Sequence, residues 1–301
     1  MKIAIVGAGG VGGYVGAKLI HARDADVTVV ARGKHLDAIH LHGLHVNDEG
    51  SDFRVHGDHF TNNPAKDGPF DCVVFCTKSY DLEEAAWHMS PCINATTLLF
   101  ALCNGVGHDE TLRKIYPHNP IASACIYILS NITAPGHIKK YGGVFLMLAG
   151  MHPVNTCLHD FATLCNNAGL KMKVTTDAPL DCWRKYLFIS ALGTMTAYYD
   201  EPMGQILSDH KEELLSLLAE IVAVANAKNI ALDEHNITQC IDQIKNKIPY
   251  NATTSMQLDI RSKHRSEIEA LSGYISREGK AHHVKTPVMD YLYQGLLKKQ
   301  I

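Results

Sequence analysis

The sequence has no hydrophobic run long enough to cross a membrane, since no apolar stretch approaches the roughly 20 residues that a spanning helix needs. It also has no excess of charge. With 28 basic and 31 acidic residues, its net charge is −3, which excludes a strong field for nucleic acid or an anionic membrane surface. The first residues include one lysine and a short apolar run, not the long apolar segment of a secretory signal.

Cysteine is too sparse for a disulfide scaffold. The nine cysteines are an odd number, are scattered along the 301 residues, and in several cases lie inside apolar runs. Secreted disulfide proteins are short and dense in cysteine. We therefore expect reduced core thiols, Cys72 and Cys76 among them, and a cytoplasmic location.

The first part of the chain alternates buried strands with helices, which predicts a Rossmann-type doubly wound α/β domain with a parallel sheet. The first strand, helix and second strand fit within about 30 residues, as a right-handed βαβ unit requires. The predicted strands are Lys2–Val6, Asp26–Ala31, Asp71–Thr77, Thr97–Leu102, Ile121–Leu129 and Val144–Ala149, and the predicted helices are Gly12–Ala22, Leu82–Met89 and Asp160–Ala168.

The pattern changes near residues 175–180, after which no strand-like alternation is visible. Apolar residues then recur at helical spacing, which predicts an all-helical C-terminal domain. We place the first domain at residues 1–176 and the second at 177–301. The predicted helices are Trp183–Ala197, one started by a capping-box-like Asp209 and Glu212, and 236–247, 252–277 and 287–299, with Pro287 in the first turn of the last.

A glycine-rich turn follows the first strand at once and opens the first helix. It consists of Gly7, Ala8, Gly9, Gly10, Val11 and Gly12. The spacing is typical of a dinucleotide site, in which glycines allow the tight turn and the close approach of a pyrophosphate to the helix N-terminus. The alternative is a glycine-rich turn in a Rossmann-like fold without a nucleotide.

The end of the second strand favours NADPH over NADH. NAD enzymes place an acid there for the ribose 2′-hydroxyl, whereas this strand is followed by Arg32, whose guanidinium suits a 2′-phosphate. Lys78, just past another strand, is a candidate second cation. Lys78 taken alone could equally be a solvated loop lysine.

Asn104 follows the strand Thr97–Leu102, at the edge where open α/β sheets bind ligands. It is a candidate for a hydrogen bond to the ribose of the cofactor or to the substrate. Because Asn-Gly is also a common turn dipeptide, a plain turn is the alternative.

Together these residues resemble the ketopantoate reductase family (2-dehydropantoate 2-reductases) over the length of the chain. The matching segments are Gly7–Gly12, Arg32, Cys76–Lys78, Asn104–Gly107, Trp183–Lys185, Thr194–Ala197, Ser255-Met256, Asp259-Ile260, Glu267-Ile268 and Thr286-Pro287. The resemblance implies that NADPH gives a hydride to the C2 ketone of a 2-oxo acid, in pantothenate biosynthesis. It further implies that Lys185 is the general acid, that Ser255 binds the substrate and that Glu267 contacts the nicotinamide side of the cofactor.

Physical chemistry supports the role of Lys185 independently. Hydride addition builds negative charge on the carbonyl oxygen, and a fixed cation that can donate a proton lowers that barrier. The alternatives are a lysine that extends past Trp183 to solvent, and for Glu267 a solvated helix face. Ser255 and Glu267 in one unbroken helix would lie about 18 Å apart. Either the helix breaks between them or they contact different ends of the ligand pair.

Three positions depart from the family pattern. Ile189, Gly193 and Met203 stand where the family usually has asparagines that hold the substrate. A site that hydrogen-bonds a substrate hydroxyl loses discrimination when apolar groups replace its donors. A related reductase of another 2-oxo acid or ketone is therefore an alternative, and a non-catalytic NADP-binding sensor is a second.

Histidine is abundant, with 18 residues. Six of them fall in a region after the second strand that we expect to be rich in loops: His35, His40, His42, His45, His56 and His59. They lack cysteine or carboxylate partners at metal-ligand spacing, so we predict no metal site. We expect no nucleic-acid or membrane partner. A homodimer through the helical domain is a hypothesis.

Overall fold

The computed structural model describes residues 1–299. The strands are β1 Lys2–Val6, β2 Asp26–Val30, β3 Leu44–Asp48, β4 Ser51–Val55, β5 Phe60–Thr61, β6 Cys72–Phe75, β7 Leu98–Ala101, β8 Ser123–Ala134, β9 His137–Gly150 and β10 Met172–Val174. The α-helices are α1 Gly10–Ala22, α2 Gly33–His42, α3 Leu82–Met89, α4 His108–Ile115, α5 Thr156–Asn167, α6 Ala178–Tyr199, α7 Met203–Asp209, α8 Lys211–Ala227, α9 Glu234–Lys247, α10 Ser255–Arg261, α11 Tyr274–Ala281 and α12 Pro287–Lys299.

A five-stranded parallel sheet of order β5-β2-β1-β6-β7 forms the centre of the first part of the chain. The strands β1, β6 and β7 are buried along almost their whole length, because helices cover both faces of a doubly wound sheet. Residues of α1 and α5 pack on one face and residues of α3 and α4 on the other. The predicted Rossmann-type fold is confirmed.

A second sheet contains the strands that we expected to extend the first. Its order is β10-β9-β3-β4, and β8 pairs with β9 in antiparallel orientation. The prediction that 121–129 and 144–149 extend the doubly wound sheet is therefore wrong. These strands are longer than predicted and form a hairpin joined at Ala134 and His137, and a parallel bridge from Leu99 to Ile121 is their link to the first sheet.

Four of the six histidines lie on regular structure rather than in loops, while His56 lies between elements and His59 ends a short 3-10 helix. His35, His40 and His42 lie on α2, and His45 lies on β3. The strands β3 and β4 were missed because their sequences are short and largely polar. They pair with each other and, through β3, with the distant β9.

The C-terminal part is helical, as predicted, but its first helix begins at Ala178 rather than at Trp183, α7 was not predicted, and later boundaries differ as well. Asp209 ends α7 and does not cap α8, whose N-cap is His210. The predicted helix 252–277 is divided: α10 ends at Arg261, Lys263 has a left-handed φ of 54°, and a π-helix at Glu269–Gly273 precedes α11. The helix therefore breaks between Ser255 and Glu267.

The chain separates into two compact units. The first comprises 1–103 and 107–178, and the second comprises 104–106 and 179–301. Three residues after β7, including Asn104, thus belong with the helices. Within residues 1–299 no helix is long and apolar enough to cross a membrane.

Candidate active site

The glycine-rich turn lies between β1 and α1 in the first unit. A methyl group on Gly12 would lie 2.0 Å from the carbonyl oxygen of Gly7, and one on Gly10 would lie 2.1 Å from that of Ser130. The backbone therefore requires glycine at both positions. At Gly9, the N-cap of α1, a methyl group would meet nothing within 4 Å. The N-terminus of α1 is thus open at Gly9, and this open, methyl-free backbone is what a bound pyrophosphate needs.

Arg32 and Lys78 follow the two strands that flank β1. Val6 pairs with Val30 and with Phe75, so the carboxyl ends of β1, β2 and β6 lie at one edge of the sheet. The Arg32 side chain is 78% exposed, and its Nη2 lies 3.2 Å from Oδ2 of Asp81. The charged residues that follow these strands therefore include two cations, which could bind an anion such as a phosphate, and one carboxylate that was not predicted from the sequence.

Asn104 is held by the turn after β7. The next residue, Gly105, has a φ of 114°, which a side chain would disfavour. In this turn Asn104 belongs to the helical unit, where its amide bonds two charged side chains. Lys185 Nζ donates to Oδ1 of Asn104 at 3.0 Å, and Nδ2 of Asn104 donates to Oε2 of Glu267 at 3.3 Å.

Lys185 lies on α6, one of the most deeply buried helices of the chain. Most residues between Cys182 and Ala197 on this helix are buried, but Lys185 and Ile189 are half-buried. These two positions lie one helical turn apart and share a face of the helix with Gly193, which is buried. The ammonium group is fixed by Asn104, so the alternative of a lysine that merely extends into solvent is not supported.

Glu267 precedes the π-helix Glu269–Gly273 and is only 4% exposed, which excludes the alternative of a solvated helix face. Hydroxyl groups on α6 hold the π-helix in place. Tyr186 Oη and Ser190 Oγ both donate to the carbonyl of Leu271, at 2.8 Å and 2.7 Å, and the hydroxyls of Thr194 and Ser272 are 2.7 Å apart.

This series of hydroxyl groups was not predicted from the sequence. Its members on α6 are spaced four residues apart, at 186, 190 and 194, and so share one face of the helix. That spacing was the available signal. Because a π-helix leaves its carbonyls in unusual positions, side-chain donors stabilise it, and such segments often occur at functional sites.

Ser255, by contrast, is the exposed first residue of α10. The hydrogen bonds that join Asn104, Lys185 and Glu267 do not include it. Its predicted role in substrate binding stays a prediction.

The three positions that depart from the family pattern carry no polar side chain, and at Gly193 the neighbouring side chains are apolar. A methyl group on Gly193 would lie 3.3 Å from Leu271 and 3.6 Å from Met256, and Met203 is 8% exposed. No polar group is supplied at these places by the residues themselves, so recognition of a polar substrate here would depend on other side chains.

The remaining clusters of titratable residues show no metal chemistry. Within residues 1–299 no group of three or more His, Cys, Asp or Glu side chains is arranged to hold a metal ion. Eight of the nine cysteines are buried, and burial raises the pKa of the Cys72 and Cys76 thiols. Both are core thiols, as predicted.

Chemically, the arrangement in the helical unit offers a fixed ammonium, an amide and a buried carboxylate in one hydrogen-bonded series. An ammonium held at its Nζ can polarise a carbonyl oxygen and donate a proton to it. The parallel sheet of the other unit offers an anion-binding helix N-terminus between two strands that end in cations.

Comparisons with known proteins identify the family that the sequence resembles. The family described as ketopantoate reductase PanE/ApbA matches residues 3–150, and its C-terminal counterpart matches residues 177–300. A 2-dehydropantoate 2-reductase of Lactococcus lactis is 26% identical over 100% of this chain and 98% of its own length. The structure of a 2-dehydropantoate 2-reductase from Porphyromonas gingivalis is 32% identical, with 99% of both chains covered and a TM-score of 0.85.

A structure described as another kind of enzyme has a similar fold. The structure of D-mandelate dehydrogenase with NADH and anilino(oxo)acetate covers 100% of this chain and 98% of its own, at 23% identity and a TM-score of 0.90. At this identity the similarity shows the fold alone.

Proposed function

Because the chain belongs to the ketopantoate reductase family, we propose that it reduces 2-dehydropantoate to pantoate with NADPH, in pantothenate and coenzyme A biosynthesis. The observation that carries the proposal is the series Lys185–Asn104–Glu267, which fixes an ammonium by hydrogen bonds to residues far apart in the sequence. It is an oxidoreductase of that family, and we assign it to the cytoplasm.

The residues of the first unit fit a nicotinamide dinucleotide. Gly9 leaves the N-terminus of α1 open for the pyrophosphate, with Ala8 and Val11 completing the turn. Arg32 and Lys78 would meet the 2′-phosphate that distinguishes NADPH from NADH. When bound, the reduced nicotinamide supplies the hydride.

In the helical unit, Lys185 acts as the general acid. The C2 ketone gains a hydride at carbon, and the negative charge that builds on its oxygen is neutralised by a proton from Nζ of Lys185. Asn104 Oδ1 accepts from Nζ and keeps it oriented, and Asn104 in turn is held by Glu267, which would also contact the nicotinamide side of the cofactor. Ser255 would bind the carboxylate or hydroxyl end of the substrate.

A second candidate is the same reaction on another 2-oxo acid or ketone. Ile189, Gly193 and Met203 favour it, because they offer no hydrogen bond to the hydroxyl group of ketopantoate. A substrate with an apolar side chain would lose nothing at these positions. Other side chains of the site would have to supply the missing bonds if ketopantoate is the substrate.

The test is turnover of NADPH with ketopantoate beside branched, linear and aryl-substituted 2-oxo acids. We expect the highest kcat/KM with ketopantoate and a loss of about 100-fold or more in Lys185→Met, the cost of removing a general acid. Lys211→Met, which changes an exposed lysine at the start of α8, should keep full activity.

Three other outcomes are distinct. Preference for another 2-oxo acid, still lost in Lys185→Met, would replace the substrate and keep the mechanism. Equal activity in wild type and Lys185→Met would refute Lys185 as the acid. Tight NADPH binding without turnover of any acid would favour the NADP-binding sensor.

A homodimer is part of the proposal, and sedimentation of the purified protein tests it.

A further inference from the structure

The edge of the parallel sheet that would hold the 2′-phosphate carries a carboxylate. Asp81 is the last residue of a short 3-10 helix, Ser79–Asp81, that follows β6 and Lys78. Its backbone N–H donates to the carbonyl of Lys78 at 3.0 Å, so the position of Asp81 relative to Lys78 is fixed by the turn. Its carboxylate lies 3.2 Å from Nη2 of Arg32.

Asp81 also occupies the N-cap of α3, where aspartate ordinarily accepts a hydrogen bond from the first turn of the helix. Here its side chain makes no capping bond. The carboxylate faces Arg32 across the two loops. The Asp81 side chain is 26% exposed against 78% for that of Arg32, so the acid is the more buried partner of the pair.

The charges at this edge decide what it can bind. Arg32 and Lys78 contribute two positive charges, and Asp81 cancels one of them. The 2′-phosphate of NADPH carries up to two negative charges at neutral pH, whereas the ribose of NADH carries none. A carboxylate at this place therefore opposes NADPH through like-charge repulsion and through occupation of Arg32, and it leaves NADH unaffected.

We propose that Asp81 is a specificity-determining residue that weakens binding of NADPH and so narrows its preference over NADH. This inference rests on the proposed function for the position of the 2′-phosphate. It assigns to Asp81 an effect against NADPH that neither the glycine-rich turn nor Arg32 would produce.

The experiment is a fluorescence titration of the full-length protein with NADPH and with NADH, which reads binding and not turnover. In Asp81→Asn we expect the Kd for NADPH to fall about three- to tenfold and that for NADH to change less than about twofold, since one screened charge acts on the phosphate alone. At about 1 M salt, where the Debye length is about 3 Å, the gain should largely disappear.

Two further variants separate a local effect of Asp81 on the 2′-phosphate from a general effect of net charge. Asp109→Asn removes a carboxylate of 25% side-chain exposure that is likewise paired with an arginine, Arg113 at 3.6 Å, in the same unit. It should leave the ratio of the two Kd values unchanged, which controls for net charge. Arg32→Gln should raise the Kd for NADPH at least about tenfold and spare NADH.

The inference is overturned if Asp81→Asn weakens NADPH binding, which would make Asp81 a residue that orients Arg32, or if it shifts both cofactors equally or neither. If Arg32→Gln leaves NADPH binding unchanged, the cofactor assignment of the proposed function is overturned together with the inference. Loss of NADPH binding in Arg32→Gln with an inert Asp81→Asn overturns the inference alone.

Discussion

Gly9 and Gly10 are adjacent, yet a methyl group at the two positions would meet opposite surroundings. At Gly10 it would lie against the backbone of Ser130, whereas at Gly9 it would point into open space. Gly9 also has a φ of −66°, which any residue can adopt. The requirement for glycine at 10 therefore comes from the fold, whereas any requirement at 9 would have to come from a ligand.

Two alanine variants test this distinction. Gly9→Ala is expected to keep the wild-type midpoint temperature of unfolding. It should bind NADPH at least about tenfold more weakly, because the methyl group would occupy the place of the pyrophosphate. Gly10→Ala is expected to lose about 1–3 kcal/mol of stability, because the backbone must shift. Thermal unfolding and cofactor titration measure the two effects. Wild-type affinity in Gly9→Ala would mean that no phosphate approaches there.

At the scale of elements, regular periodicity made most of the fold predictable, and the exceptions have physical causes. The apolar strands β1, β2, β6 and β7 and the helical C-terminal half follow from the sequence. The polar strands β3 and β4 do not, since β4 pairs only with β3 and the pairing of β3 with β9 depends on residues about 90 positions away. The break after α10 was one of two open alternatives, and Lys263 shows why it occurs there.

In the candidate site, too, some features are predictable from local sequence and others depend on residues far apart in the chain. The glycine-rich turn and Arg32 are local patterns that stand beside a strand, so the sequence predicts them. The role of Lys185 needed a family resemblance as well. The hydrogen bond between Asn104 and Glu267 spans 163 positions, and no local pattern predicts such a pairing.

A buried carboxylate of one helix caps another. Oε1 and Oε2 of Glu220, on α8, each accept a backbone N–H from the first turn of α12, those of Val288 and Met289, both at 2.8 Å. Glu220→Ala leaves these buried donors unpaired and should cost about 1–3 kcal/mol in urea unfolding. Glu212→Ala, an exposed residue of the same helix, should cost less than about 0.5 kcal/mol. Equal stabilities of the two variants would contradict the cap.

At the scale of the whole molecule, a net charge of −3 leaves little general repulsion, so acid sensitivity should come from particular carboxylates. Asp48 on β3 is the clearest case. It accepts a hydrogen bond from Tyr14 of α1 at 2.7 Å and lies 3.1 Å from Nζ of Lys140 on β9, which is 6% exposed. Burial alone would raise the pKa of Asp48, but these bonds and the charge of Lys18 outweigh it and lower that pKa.

A lowered pKa fixes the sign of the pH dependence. The ionised Asp48 stabilises the fold above its ordinary pKa of about 3.8, and that contribution is lost as the pH falls through the lower value of the folded state. Asp48→Asn should therefore be less stable than wild type by about 1–3 kcal/mol at neutral pH, and the gap should shrink toward pH 3 or below.

Urea unfolding of both proteins across this range measures the gap. Asp52→Asn, on the neighbouring strand and exposed, is the matched control and should show a small difference at every pH. A gap between Asp48→Asn and wild type that stays constant down to the lowest pH would mean that the carboxylate charge is not what stabilises this network.

The position of residues 104–106 in the chain affects how this site could be exchanged by recombination between related genes. Lys185 and Glu267 are encoded together in the second half of the gene, but the amide that joins them is encoded in the first half, next to the dinucleotide turn. A recombination event near codon 178 would exchange Lys185, the proposed acid, without the asparagine that it hydrogen-bonds. Chimeras between relatives should therefore keep this hydrogen-bonded series only when the parent of the first half supplies an asparagine after β7, which makes that position a constraint on shuffling within the family.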